Sequence, residues 1–124
     1  MMSKNGKLRT SDYLEHILEA IQRIGRYTDD MTEAVFLGDE KTQDAVVRNF
    51  EIIGEASRNI EQRDPDFAAS HPEVPWGDAY LLRNQVAHGY FKVDLEIVWR
   101  TIQDDLPGMA EHIRALLTEF GSVS

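Results

Sequence analysis

The sequence predicts an all-α fold, a single bundle of four or five helices. Apolar residues recur at steps of three and four, the spacing of one helical face. No segment shows the sustained alternation of apolar and polar residues that is typical of a strand. Hydrophobic residues make up 42% of the 124 residues, enough for one buried core in a chain of this length.

The first long helix is predicted over about residues 11–28. Thr10, Ser11 and Asp12 offer N-terminal caps, and Glu15 stands three residues after Asp12, as in a capping box. The predicted buried face consists of Leu14, Ile17, Leu18, Ile21 and Ile24.

The second long helix is predicted over about residues 40–62, with Asp39 as its cap. A short helical turn over 32–37, ended by Gly38, is expected just before it. The apolar residues of the long helix fall within about 80° of one another at 100° per residue, and therefore form one stripe. They are Val46, Phe50, Ile53 and Ile60.

Residues 63–74 are predicted to form a connecting loop with a turn of helix at 67–69. Pro75 is then suited to the start of a third helix, Trp76–His88, and Gly89 to its C-terminal end.

A last helical segment follows Asp94, and Pro107 must kink or split it because proline lacks the donor that a helix interior needs. Trp76, Tyr80 and Trp99 are predicted as core residues. The periodic residues of this last segment are Leu95, Val98, Trp99, Ile102, Ile113, Leu116 and Leu117.

The composition excludes several classes of protein. The chain has no cysteine, which excludes a disulfide scaffold, a thiolate zinc site and cysteine catalysis. Its apolar runs are far shorter than the roughly 20 residues that cross a membrane, and its polar first residues do not resemble a secretory signal. We therefore expect a cytoplasmic protein without membrane association, built from a flexible tail at 1–9 and one helical domain at 10–120.

The net charge argues against a simple nucleic-acid binder. Lys and Arg number 13 against 22 Asp and Glu, a formal charge of −9 at pH 7. Non-specific nucleic-acid binders generally carry the opposite sign, because neutralised phosphates supply most of their affinity. Any nucleic-acid function must then use a local basic patch, or one assembled from more than one chain.

No metal site and no cofactor is predicted, since no two of the four histidines are three or four residues apart. The chemistry concentrates instead at 82–91, where Arg83, Asn84, His88 and Tyr90 lie close in sequence. Asn84 and His88 are four apart, hence on one helical face and within hydrogen-bonding reach. Such a bond would fix the imidazole tautomer and leave the other ring nitrogen to act as an acid or base near neutral pH.

Arg83 and His88 do not begin on one face of the predicted helix. Five residues separate them by about 140° around the axis and roughly 7.5 Å along it. They can converge if the helix distorts, if both side chains reach a shared groove, or if a second chain contributes. Two copies meeting about a two-fold axis would gather two arginines and two histidines in one cleft, which would be basic even in an acidic protein.

A structural interpretation of the same residues stays open. A lone Arg, His and Tyr near a helix end more often cap, pair and pack than catalyse. Tyr90 and Phe91 are then core anchors after the turn, and Arg83 and His88 pair with acidic neighbours.

The sequence resembles the HepT-like toxins of the HEPN superfamily over about Leu8 to Leu117. The motif of that family is an arginine, four to six residues and a histidine, and here Arg83 and His88 enclose four. The resemblance also rests on the blocks Ile53–Ser57, Val74–Trp76, Asn84, His88–Phe91, Ile97–Trp99 and Asp105–Pro107.

The resemblance implies a dimerising helical bundle of HEPN type and a metal-independent endoribonuclease. The motifs of both subunits of a homodimer, which can assemble further, would line one cleft and cut an RNA, whether tRNA or mRNA. His88 would serve as base or acid, Arg83 would clamp the phosphate, and Asn84 would orient His88. The expected partner is a nucleotidyltransferase antitoxin that transfers AMP onto Tyr90.

Three hypotheses follow from the sequence. The first is the dimeric ribonuclease toxin. The second is a non-catalytic binding module that docks a nucleotidyltransferase, which the acidic surface favours. The third is a purely structural helical dimer.

Overall fold

The computed structural model describes residues 9–77 and 94–121. Both ranges are helical apart from short connections, and neither contains a strand. The helices in these ranges are α1 (Thr10–Thr28), α2 (Glu33–Leu37), α3 (Glu40–Arg63), α4 (Pro65–Ser70), α5 (Leu95–Asp104) and α6 (Leu106–Glu119). The all-α prediction is therefore confirmed for the described part of the chain.

The start of α1 is held by Asp12, but Asp12 acts from inside the first turn and is not the N-cap residue. Arg9 is the N-cap residue, and the carboxylate of Asp12 accepts the backbone N–H of Arg9 at 2.9 Å. The predicted capping box of Asp12 and Glu15 is thus wrong, because the helix begins three residues earlier than that box requires. The hydroxyl of Thr10 donates to Asp64 at 2.6 Å and ties the start of α1 to the end of α3.

The two caps around α2 and α3 follow the sequence closely. Thr32 accepts the N–H of Val35 at 3.3 Å, and Gly38 ends α2 as predicted. The carboxylate of Asp39 accepts the N–H of Thr42 at 3.1 Å at the start of α3. This hydrogen bond lowers the pKa of Asp39 below its ordinary value of 3.8, and the Asp39 cap is confirmed.

The predicted turn at 67–69 is a longer helix, α4. Pro65 occupies its first turn, where the missing N–H costs nothing, so the helix starts two residues earlier than expected. The ring of Phe67 lies 4.6 Å from that of His71 and 5.4 Å from that of Phe120. These aromatic contacts join α4 to the end of α6.

The predicted break in the last helical segment is confirmed. Helix α5 ends at Asp104 and α6 begins at Leu106, with Pro107 in the first turn of α6. Asp105 is the N-cap residue of α6, and its side chain makes no capping hydrogen bond.

The helices pack around one apolar core. Helix α1 packs most extensively against α3 and also contacts α6, while α2 touches α3 and α5. Burying this apolar surface is the main stabilising contribution. The largest fully buried side chains are Phe36, Phe50, Leu14, Ile17, Ile24, Ile60, Ile113, Leu116, Leu117, Val46, Val74 and Val98.

Two of the three tryptophan and tyrosine residues predicted for the core lie in the described ranges. Trp76 is 5% exposed, and Trp99 packs half-buried against Phe36 at a ring distance of 5.3 Å. Tyr80 and the remainder of the predicted helix Trp76–His88 beyond residue 77 lie outside the described residues. In the described ranges, no helix is both long and apolar enough to traverse a lipid bilayer.

Candidate functional site

The four residues predicted to carry function, Arg83, Asn84, His88 and Tyr90, lie outside the described residues, within 78–93. The structure describes the two ends of this stretch and the helices around them. Specific contacts hold each end.

The chain leads into residues 78–93 from a buried anchor. Trp76 is 5% exposed, and its indole N–H donates to the carbonyl of His71 at 3.1 Å. Val74 is almost completely buried, and its N–H donates to the same carbonyl at 3.3 Å. The ring of Phe67 lies 6.2 Å from that of Trp76. The chain is therefore fixed to the core immediately before the predicted catalytic stretch.

The chain leaves that stretch through the cap of α5. The carboxylate of Asp94 accepts the N–H groups of Glu96 at 3.1 Å and Ile97 at 3.2 Å. Val98, one turn into α5, is 1% exposed and belongs to the core. Asp94 thus satisfies two donors that the helix itself leaves unpaired, and it fixes the position from which α5 starts.

Helix α3 carries two buried polar side chains that the sequence analysis did not identify. Asn49 is 4% exposed, and its amide N–H donates to the Ala45 carbonyl at 2.9 Å, while its amide oxygen has no partner among the described residues. Ser57 is completely buried, and its hydroxyl likewise has no hydrogen-bond partner within residues 9–77 and 94–121. The signal for both was present, since they interrupt the apolar face of α3 within one or two turns of Ile53.

The described histidines make ordinary local contacts. The ring of His16 stands edge-on to that of Tyr13 at 6.2 Å. His71 Nδ1 lies 3.1 Å from the carboxylate of Glu73. Over residues 9–77 and 94–121, no group of three or more His, Cys, Asp or Glu side chains is placed to hold a metal ion.

A groove of about 500 Å³ lies between α3, the segment after α4 and the junction of α5 with α6. Three carboxylates border it, and none of its lining residues that the structure describes is Lys or Arg, so we name it the acidic groove. Its lining residues are Phe50, Ile53, Glu73, Pro75, Thr101, Asp104, Asp105, Leu106, Gly108, Met109 and His112.

A comparison with protein-family models matches residues 17–116 to the family described as "Ribonuclease HepT-like". The matched range covers about four fifths of the chain, from the middle of α1 to the last turn of α6. The chain belongs to the HepT-like ribonuclease family. The resemblance found in the sequence is therefore confirmed, and all four predicted site residues of this HepT-like chain fall within the matched range.

Curated relatives agree with this assignment. The chain is 46% identical over 98 residues to "Probable ribonuclease HepT" of Thermococcus cleftensis, covering 79% of this chain and 86% of the relative. A relative from Methanocaldococcus jannaschii, provisionally named an RNase, is 37% identical over 107 residues and 86% of each chain. Another provisionally named RNase, from Caldanaerobacter subterraneus, is 32% identical over 105 residues, covering 85% of this chain and 91% of the relative. No solved structure matches the HepT-like chain.

Proposed function

We propose that this HepT-like chain is a metal-independent endoribonuclease that acts as the toxin of a type II toxin–antitoxin pair in the cytoplasm. The observation that carries the proposal is the family match, which spans a stretch where this sequence has Arg83, Asn84, His88 and Tyr90. Arg83, Asn84 and His88 supply groups that RNA cleavage without a metal requires, and Tyr90 is the proposed site of AMP attachment.

The proposed reaction is an attack of the ribose 2′-oxygen on the neighbouring phosphorus. A base removes the 2′-hydroxyl proton while the new P–O2′ bond forms, and the P–O5′ bond then breaks. An acid donates a proton to the departing 5′-oxygen, so the products are a 2′,3′-cyclic phosphate and a 5′-hydroxyl. His88 acts as base or acid, with its tautomer set by Asn84.

Arg83 is proposed to stabilise the charge that develops on the phosphoryl oxygens. A guanidinium donates two parallel hydrogen bonds to such oxygens and stays charged at every physiological pH. An ammonium group binds as a point charge and cannot donate two parallel hydrogen bonds. Arg83→Lys would therefore keep the positive charge but lose the paired hydrogen bonds to the phosphoryl oxygens. We expect this variant to lower the cleavage rate far more than RNA binding.

The active unit is proposed to be a homodimer with the motifs of both chains in one cleft. On a regular helix Arg83 and His88 start about 140° apart, which a second subunit overcomes by bringing in its own pair. The same arrangement gathers positive charge locally, although the chain carries −9 overall. RNA phosphates would then meet a basic cleft on an acidic protein.

The proposed partner is a nucleotidyltransferase antitoxin that attaches AMP to Tyr90. Tyr90 is two residues from His88, so an attached AMP adds bulk and negative charge beside the proposed catalytic base. That charge would repel the RNA phosphate and block the cleft. Co-expression with the neighbouring nucleotidyltransferase should raise the mass of the toxin by multiples of AMP, and Tyr90→Phe should abolish the increase.

The nuclease proposal is tested with purified protein and single-stranded RNA in the presence of EDTA. We expect cleavage that leaves 2′,3′-cyclic phosphate ends, and loss of at least a hundredfold in rate for His88→Ala and for Arg83→Ala. His16→Ala is the matched control, because His16 is exposed on α1 and contacts only Tyr13 among the aromatic side chains described. Cleavage that requires added divalent metal, or that survives His88→Ala, contradicts the mechanism.

A second candidate is a non-catalytic module that binds a nucleotidyltransferase. The observation that favours it is the acidic composition, with 22 Asp and Glu against 13 Lys and Arg. This function predicts a stable complex with the transferase and no RNA cleavage under any of the conditions above.

A further inference from the structure

The acidic groove combines two features that call for different ligand groups. Its floor is apolar, formed by Phe50 and Ile53 of α3 and by Leu106 and Met109 of α6. These four side chains are 2% to 7% exposed, so they are core residues whose outer atoms reach the groove. An occupant must bring apolar surface to this floor, since only burial of apolar area stabilises such a contact.

The rim of the acidic groove carries negative charge from separate elements. Asp104 and Asp105 are exposed, and neither side chain makes a hydrogen bond or ion pair with any residue that the structure describes. Glu73 stands on the segment after α4, and its own backbone N–H and His71 hold its pKa below the ordinary 4.5. Glu73 is therefore ionised at neutral pH.

The helix end at the groove does not reverse this charge. The N-terminus of α6 contributes about half a positive charge, and Pro107 removes one of its free donors. Three carboxylates outweigh that half charge. His112 also lines the groove and adds positive charge only when protonated. The charges of the described lining residues accordingly repel an RNA phosphate and attract a cation.

We propose that the acidic groove docks a segment of a partner protein in which apolar side chains are flanked by Lys or Arg. The apolar side chains lie on the floor, and the cations meet Asp104 and Asp105 on one side and Glu73 on the other. A volume of about 500 Å³ accommodates a few side chains of such a segment. The inference is argued apart from the ribonuclease proposal, because it rests on described residues of the groove and on none of the four proposed site residues.

The binding test uses a labelled probe peptide, acetyl-Gly-Arg-Leu-Arg-Phe-Arg-Gly-amide, and the full-length protein in fluorescence anisotropy. We expect saturable binding that weakens as salt is raised. A peptide with Glu in place of every Arg should not bind, and a peptide with Ser in place of Leu and Phe should bind at least tenfold more weakly. Equal binding of the Ser peptide would reduce the contact to non-specific charge attraction and overturn the proposal.

Two variants place the peptide in the groove. Asp104→Asn with Asp105→Asn removes the unpaired carboxylates and should weaken binding at least tenfold. Its matched control is Asp29→Asn with Asp30→Asn, an adjacent exposed pair at the end of α1 that removes the same charge outside the groove. Equal losses in both double variants would mean that only net charge matters, and the proposal would be wrong.

Gly108→Leu is a steric test that keeps every charge. Gly108 lines the groove, and a Cβ there meets no atom within 4 Å, so a leucine can be placed at the groove without a backbone clash. Leucine is also the better helix former, so the fold should persist, which circular dichroism checks. Gly25→Leu is the control, since a Cβ there also meets no atom within 4 Å and Gly25 does not line the acidic groove.

We expect Gly108→Leu to lower peptide affinity at least tenfold and Gly25→Leu to leave it unchanged. Wild-type affinity in folded Gly108→Leu protein would overturn the proposal. Two further outcomes would assign another occupant. A change of oligomeric state in Gly108→Leu would indicate a second copy of the chain, and a tenfold gain in peptide affinity on deleting residues 1–8 would indicate the N-terminal tail.

Discussion

At the scale of single residues, Asp12 is a buried carboxylate whose ionised form the fold stabilises. Its side chain is 1% exposed, and burial alone would raise its pKa. The backbone N–H of Arg9 at 2.9 Å and the Arg9 guanidinium at 3.5 Å outweigh burial and lower the pKa below 3.8. Asp12 is therefore negatively charged in the folded protein at neutral pH.

This lowered pKa predicts how the free energy of unfolding changes as the pH falls. The unfolded state takes up a proton near pH 3.8, before the native state does, so the contribution of Asp12 is complete above that pH. It disappears as the pH falls through the lower native pKa. Asp12→Asn should reduce the free energy of unfolding by about 2 kcal/mol at pH 7. Urea unfolding should show this difference shrinking between pH 4 and pH 2, and a constant difference would contradict the assignment.

Ser57 is a residue whose removal should help the fold. Its hydroxyl is completely buried and has no partner in the part of the chain that the structure describes, which costs roughly 1–3 kcal/mol. Ser57→Ala should raise the free energy of unfolding by about 1 kcal/mol, measured by urea unfolding. Ser70→Ala is the control, since Ser70 is exposed and should change stability by less than about 0.5 kcal/mol. A fall in stability for Ser57→Ala would show that its hydroxyl has a partner.

At the scale of elements, the capping carboxylates divide the chain into its helices. Asp39 was correctly predicted from sequence, because a short polar side chain preceded a periodic apolar run. Asp12 was misassigned for an instructive reason. It has the chemistry of a cap, but Arg9 holds the cap position and Asp12 acts from inside the first turn. Local sequence gives the kind of residue that satisfies a helix end but not its exact register.

Asp94 is the cap whose removal should affect one element. Its carboxylate accepts two backbone N–H groups of α5. Asp94→Ala should lower the free energy of unfolding by about 1 kcal/mol, whereas Asp94→Ser should retain most of the stability. Thermal unfolding of the two variants, compared in one buffer, measures the difference. Equal melting temperatures for Ala and Ser would show that the cap contributes nothing.

The remaining elements show which helices can be predicted from the spacing of apolar residues and which cannot. The bounds of α1 and α3 agree with the sequence to within one residue at each end, because long apolar stripes define them. Helix α4 was predicted as a turn, since it is short and its single buried side chain, Ala68, gives no periodic signal. Asn49 and Ser57 were missed because propensity places such residues at surfaces, whereas their burial is decided by neighbouring helices.

At the scale of the whole molecule, the proposed cleft needs two chains. A mixing experiment tests this requirement. Arg83→Ala and His88→Ala proteins are each expected to be inactive, but a mixed dimer regains one arginine and one histidine in the shared cleft. Unfolding and refolding the two together should restore up to about half of wild-type activity, the fraction of mixed dimers formed by random pairing. No recovery, despite mixed dimers on a native gel, would argue that each chain acts alone.

The candidate site stays a prediction, and it could be made from sequence because its chemistry is local. The four proposed site residues lie within eight positions of the chain, so they can be found from their spacing alone. They are Arg83, Asn84, His88 and Tyr90. The acidic groove was not predictable, because Glu73, Asp104 and Phe50 come from segments far apart in the chain. A pattern within one helix can be read from spacing, whereas a surface shared by three segments depends on how the helices cross.

The contact between α1 and α6 has a consequence for synthesis. Helix α1 is made before α6, so the contact between them cannot form, and the core of a nascent chain stays open, until α6 has left the ribosome. Residues 78–93 emerge before that contact can form. If cleavage depends on the closed bundle, a nascent chain cannot cut RNA until α6 has emerged and packed against α1.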